Sequence, residues 1–298
     1  AISEVDTDMT TNVKNVNPLE GYLRVPKLYV ALPSRGKFSI VDTQSEITQE
    51  IPVFPMTAKD ETMLRNPDAL LNGESLVSVI KSVTGIQDVY NLSSNDIDVI
   101  LLASRFATYG SDLEVKSSCP ECKHEHDFEV NIEAVLETVT ELDDEYKISL
   151  DNGLTVYIRP YTFKDTQTAA LQAFRETTEL NKLTENEGDE LKRLITFNKS
   201  FQAMADLNIQ ILANSVQKVV IPNTEEEDSE PTIVTDKGHI LAWVKGIGKG
   251  QADAILDEAN NVNNQGLDRN AHITCPECKH EYSQPLEFNP ASFFDLGS

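Results

Sequence analysis

The heptapeptide Cys-Pro-Glu-Cys-Lys-His-Glu occurs twice, at Cys119–Glu125 and Cys275–Glu281, and cysteine is used nowhere else in the 298-residue chain. All four cysteines therefore stand in C-x-x-C pairs, Cys119 with Cys122 and Cys275 with Cys278. In each copy a β-type run enters, the chain turns at Pro-Glu, and another β-type run leaves. Two such knuckles supply four thiolates, the ligand set of a tetrahedral structural Zn²⁺. The layout is that of a zinc ribbon with one knuckle at the tip of each hairpin. Four thiolates around a divalent cation leave a formal charge near −2, which Lys123 and Lys279 would partly offset. The residue after the second cysteine turns left-handed in many knuckles, where Gly is usual. Lys at that position costs roughly 1 kcal/mol.

Other readings compete. Two separate sites would use His124 and His126 with Cys119 and Cys122, but the second copy offers His272, His280 and Tyr282 and is not equivalent. Adjacent strand positions also point to opposite faces, which makes chelation from one strand tight. A redox C-P-x-C begins a helix after a strand. Here both copies run on into polar, strand-like sequence, with no βαβ context. A disulfide staple would suit a secreted chain. The polar, acidic N-terminus lacks the layout of a secretory signal, and its opening Ala suits a trimmed initiator Met. One shared site is the leading reading. It requires Cys122 and Cys275 to meet, which turns the interval between them into an insertion with clamped ends and couples metal binding to folding. Sulfur in all four positions leaves none open for water, which argues against catalytic zinc.

The remaining sequence alternates short strands and helices. Arg24–Ile40 carries β-type runs broken by Pro-Ser-Arg-Gly, and Pro52 and Pro55 make Ile47–Met56 a short or edge strand. Thr57 is a usable N-cap, and Asn66-Pro67 interrupts the helix that follows. Gly73 opens a second helix with Leu76, Val79, Ile80 and Val83 on one face. A third is capped by Ser94, carries Ile97, Ile100, Leu101 and Phe106, and ends at Gly110. Phe163–Leu183 and Glu190 to about Lys218 read as an antiparallel helical hairpin. In the latter Leu194, Phe197, Phe201, Met204, Leu207 and Ile211 step by three or four, a stripe expected to be core. Two further helices split near Gly246–Gly250.

The net charge of −24 repels phosphate backbones, and much of the excess lies in runs such as Glu141–Glu145 and Glu225–Glu230. One stretch points the other way. Val244–Leu256 resembles a helix-hairpin-helix, with Gly246 and Gly248 flanked by Lys245 and Lys249. The simpler account is a turn that needs Gly for positive φ. A zinc-ribbon nucleic-acid module is therefore the alternative function. Walker A, H-E-x-x-H and G-x-S-x-G motifs are absent from the sequence.

Several stretches in order carry a resemblance: "KLYVALPSRGKFS", "IPVFPMTAKDETMLRNPDALLNGESLVSVI", "LLASRFATYGSDLEVKSSCPECKHEHDFEV" and the C-terminal "CPECKHEYSQPLEFNPASFF". Over roughly Arg24–Val130 and again near the C-terminus, the chain resembles the T4-like contractile-phage baseplate hub proteins, some described as hub assembly proteins. The resemblance implies a structural or assembly role without catalytic residues. It implies residence in the virion tail baseplate, with the host cytoplasm occupied during assembly. The implied partners are other baseplate and hub subunits in a symmetric multi-subunit assembly. The acidic charge argues against nucleic acid, and the lack of an apolar run of about 18–20 residues argues against a membrane.

The expected fold class is α+β: a small N-terminal β/α domain, a zinc ribbon closed by two distant C-x-x-C knuckles, and a long helical insertion between them. The expected divisions are a flexible arm at 1–23, an α+β domain at 24–118, ribbon halves at 119–130 and 271–290, a largely helical insertion at 131–270, and a tail at 291–298. The expected metal ligands are Cys119, Cys122, Cys275 and Cys278, holding structural Zn²⁺.

Overall fold

The structure is a computed structural model that describes residues 19–38, 50–65, 73–185, 190–222 and 230–286. Most of the expected arm, the Asn66-Pro67 interruption, most of the Glu225–Glu230 run and the tail lie outside the described residues. The described chain mixes helices with several small antiparallel sheets, an α+β architecture.

Strands β1 (Leu28–Val30) and β2 (Ile51–Val53) pair antiparallel. Helix α1 (Ala58–Leu64) starts at Thr57, whose side chain accepts from the Asp60 N–H while Asp60 accepts from the Thr57 N–H. This reciprocal cap satisfies two donors that a helix start leaves free. Helix α2 (Glu74–Thr84) follows Gly73, and α3 (Ser94–Tyr109) ends at Gly110. The cap of α3 lies one residue earlier than the sequence suggested: Ser93, not Ser94, accepts from the Asp96 N–H. Leu76, Ile80 and Val83 of α2 pack with Ile97, Ile100 and Leu102 of α3 and with Ile51 and Val53 of β2 in one apolar cluster.

The interval between the knuckles holds more sheet than its helical stripes suggest. After the short helix α4 (Ile132–Leu136), strands β5 (Tyr146–Ser149), β6 (Thr155–Ile158), β7 (Val216–Ile221) and β8 (Thr232–Val234) form one antiparallel sheet in that order. Helices α7 (Lys237–Gly246) and α8 (Lys249–Asn263) close a second cluster over it, with Val156, Ile158, Val216, Ile240, Ile255 and Val262 buried together.

Two expectations fail in this interval. Helix α6 (Glu190–Ser215) stops short of Lys218, and Val216–Ile221 pairs with β6 as a strand. Three β-branched valines at 216, 219 and 220 favour the extended state once a neighbouring strand is available. The apolar stripe also does not all reach the core. Helix α5 (Phe163–Glu185) packs along α6, yet Leu194, Phe197 and Phe201 are 58%, 54% and 68% exposed. Met204, Leu207 and Ile211 are half-buried.

Buried polar contacts tie the first cluster to the second. The Asn95 amide donates to the carbonyls of Val262 (3.0 Å) and Gln265 (2.8 Å). Ser94 and the Tyr161 N–H both donate to Asn263 Oδ1. Asp96 accepts from the Ser34 N–H and hydroxyl at 2.9 and 2.6 Å.

Asp98, on the same helix, pairs with Arg269, yet burial outweighs that cation and pushes its carboxyl up to about 6. A folded-state pKa above the ordinary 3.8 means that the folded chain holds the proton more tightly. This group's contribution to stability is therefore greatest in acid and declines as the pH rises from about 4 through 6, by about 3 kcal/mol. A carbon-13 titration of the intact protein is expected to place the Asp98 midpoint near 6. A midpoint at the ordinary carboxylate value would contradict the burial argument.

Candidate metal centre

The two knuckles cap two hairpins built alike. Strands β3 (Asp112–Ser118) and β4 (Glu125–Asn131) pair antiparallel, as do β9 (Asn270–Thr274) and β10 (Glu281–Pro285). In the first knuckle the Cys119 N–H donates to the His124 carbonyl and the Lys123 N–H to the Cys119 carbonyl, both at 3.0 Å. The second repeats this from Cys275 to His280 at 2.9 Å and from Lys279 to Cys275 at 3.0 Å. Lys123 and Lys279 adopt φ of 60° and 62°, the left-handed turn expected from the sequence. Both amides thus turn back into the knuckle, and strain of about 1 kcal/mol is held at each lysine. The Lys279 ammonium donates to the Pro276 carbonyl at 2.9 Å.

The hairpins meet side by side. Ser117 of β3 hydrogen-bonds the Tyr282 hydroxyl at 2.6 Å and also reaches Gln284, both on β10. The Gln284 amide donates to the Lys116 carbonyl at 3.3 Å. Ser117 and Gln284 were not singled out from the sequence, and Tyr282 was named only for the second knuckle's ligand set. They lie at alternate strand positions, so period-two reading of both hairpins was the available signal.

This docking brings the four cysteines together. All four sulfurs lie within 4.8 Å of one another. The first cysteine of each knuckle meets the second of the other: Cys119 to Cys278 is 3.6 Å, and Cys122 to Cys275 is 3.7 Å. A tetrahedron with Zn–S bonds of about 2.3 Å has edges of about 3.8 Å, so the donor set and spacing fit a four-sulfur metal site. All four are free cysteines, Cys119 and Cys275 buried and Cys122 and Cys278 exposed.

Cys275, Cys278 and Cys122 differ in acidity. The Cys278 N–H holds the Cys275 thiol down to about 6. The His280 N–H lowers the Cys278 thiol, but partial desolvation and its three sulfur neighbours outweigh it and push it up to about 12. Cys122 is also raised: the His124 N–H lowers it, but burial and hydrogen bonds with Cys275 and Cys119 prevail. Neighbouring thiolates repel, so four charges in this space need a cation at their centre.

The histidines form a row along the hairpins and do not belong to the sulfur cluster. His124 stacks on His126 at 5.8 Å, His280 on Tyr282 at 6.2 Å, and His126 meets Tyr282 edge-on at 6.5 Å.

The Gly-Ile-Gly stretch forms the turn between α7 and α8, with Gly246 closing α7 and Gly248 capping α8. The expected positive φ is absent: Gly248 is extended at φ −67°, and Gly246 is not among the residues with positive φ. Lys249 donates to Asp253 at 2.9 Å, so one of the two lysines has an intrachain partner.

A family model described as T4 bacteriophage base plate protein matches residues 26–295, which takes in both hairpins and everything between them. The chain belongs to this family. Membership in the base plate family places it among structural components of the phage tail, assembled with other tail proteins in the virion. Searches of curated proteins and of solved structures gave no match. Among the described residues no helix is long and apolar enough to cross a membrane. The base plate match spans the middle helices as well, where the sequence resemblance was least distinctive.

Proposed function

We propose that this base plate protein is a non-enzymatic structural or assembly component of the hub region of a contractile phage tail. In this reading Cys119, Cys122, Cys275 and Cys278 hold one structural Zn²⁺ that closes a ribbon from halves at 119–130 and 271–290. The ribbon then clamps the ends of the 131–270 insertion beside the 24–118 domain. The partners are other baseplate and hub subunits, met in the host cytoplasm during assembly and in the tail baseplate. The family match over 26–295 supports the tail role, and the sulfur cluster supports the clamp. Four sulfurs saturate a tetrahedral ion and leave no position for a substrate, so the metal's task is mechanical.

Metal analysis with thiol counting tests the clamp. One zinc and four protected thiols per chain are expected. Two zincs would mean separate sites, and none would defeat the clamp. Mass spectrometry of purified particles tests the role. The chain is expected in mature or assembling tails, and absence from both would overturn the reading.

A further inference from the structure

Helix α6 presents two faces of different character. The covered side carries Thr196, Ser200, Ala203 and Leu207, mostly small residues, on a helix that packs along α5. The other side carries the large ones. Leu191, Leu194, Ile195, Phe197 and Phe201 are 65%, 58%, 58%, 54% and 68% exposed, and Phe174 of α5 is 51% exposed. Six large apolar side chains half or more exposed on one hairpin are more than scattered surface residues explain. At ~100 Å² each they offer about 600 Å² per chain, near the ~800 Å² per partner of a standard interface.

The pattern of the exposed face narrows the occupant. Leu191, Leu194, Asn198, Phe201 and Ala205 step by three and four, the spacing of a coiled-coil seam. Ile195 and Phe197 flank it. Asn198, Gln202 and Ala205 are exposed with the apolar residues. An asparagine in the middle of such a seam is costly against an apolar partner, because its amide loses water and gains nothing. Against another asparagine amide the cost is met, since each carries both donor and acceptor. A two-fold axis through Asn198 places that group opposite itself. Charge permits the approach. The chain carries −24, but α6 has three basic residues (Lys192, Arg193, Lys199) against two acidic ones (Glu190, Asp206), a net of +1.

We propose that α6 is a self-association surface, on which two copies of this chain pair α6 against α6 about a two-fold axis through Asn198. The seam then buries Leu191, Leu194 and Phe201 with Ile195 and Phe197 at its margins, and the Asn198 amides fix the register. The pairing makes no use of the sulfur cluster.

Analytical ultracentrifugation of the full chain tests this. The native chain is expected to dimerise at micromolar concentration. Phe201→Glu is expected to raise the dissociation constant by about 100-fold or more, because it puts a charge in the seam. Asn198→Asp is expected to weaken pairing by about 10-fold at neutral pH, where two carboxylates face each other, and to recover in mild acid as they share a proton. Because Asn198 is exposed in the single chain, Asn198→Asp decides the question even if Phe201→Glu disturbs folding. A native chain still monomeric at about 0.1 mM would overturn the proposal. So would an Asn198→Asp chain that dimerises as tightly as the native one.

Discussion

Cys275→Ser is expected to lose the metal and to loosen both hairpins at once. Serine is a poor ligand beside three thiolates, so metal affinity should fall by more than the 10–100-fold that loss of an outer-shell partner costs. Beside the sulfurs, the two hairpins touch through Ser117, Lys116 and His126 on one and Tyr282 and Gln284 on the other. Without the ion, amide exchange in β3, β4, β9 and β10 is expected to accelerate together. Leu76, Ile80 and Val83 of α2 and Ile97, Ile100 and Leu102 of α3 are expected to keep their protection, because the hairpins join that cluster through their ends away from the knuckles, at Leu113, Val130 and Leu286. Cys275 is fully buried, so the change also puts a hydroxyl where a sulfur was and costs about 1–3 kcal/mol of its own. Cys278→Ser provides the comparison: Cys278 is exposed, so the metal effect should be the same and the intrinsic cost smaller. Identical melting of native and Cys275→Ser chains, with and without chelator, would sink the clamp.

Gly266→Ala is expected to cost about 3 kcal/mol, the second large effect. Gly266 sits between α8 and β9 with φ +88°, a region that L-residues avoid. A Cβ there would lie 2.8 Å from Pro33 Cβ and 3.0 Å from Pro33 Cγ. The Gly266 carbonyl accepts from the Thr140 N–H, and Asn95 holds the adjoining Gln265 carbonyl, so the segment cannot simply retreat. Backbone strain of about 1–2 kcal/mol adds to an overpacking cost of similar size. Gly85→Ala separates the two causes. Gly85 has φ +80° and nothing within 4 Å of a new Cβ, so it should show the strain alone. Equal losses at the two sites, by denaturant unfolding, would show that the Pro33 contact yields.

The local features were the legible ones. The cap at Thr57, the face of α2, the end of α3 at Gly110 and the left-handed lysines follow from a few adjacent residues. The sulfur cluster was legible because cysteine is confined to two identical spacings. What depended on distant partners was not. Nothing near Val216 says that β6 waits beside it, and the apolar steps of α6 run on into the valines without a break. Periodicity placed Leu194, Phe197 and Phe201 on one stripe but not which side of the helix faces α5. The small residues Ser200 and Ala203 lie on the covered side instead. The burial of Asp96 and Asn95 likewise rests on Ser34 and on the end of α8, far away in sequence.

The two knuckles are so alike that each is a plausible partner for its own copy in another molecule. In an unfolded chain Cys122 and Cys275 are separated by 153 positions. A tether of that length holds its ends at an effective concentration of roughly millimolar or below. Dilute chains given metal would clasp within themselves, while crowded ones would clasp between molecules and tangle. The contact of Ser117 with Tyr282 and Gln284 sorts like pairings from unlike ones, because only unlike hairpins bring those side chains together, while dilution favours the unlike pair within one chain. The asymmetry of the strands therefore supplies the proofreading that the identical knuckles lack.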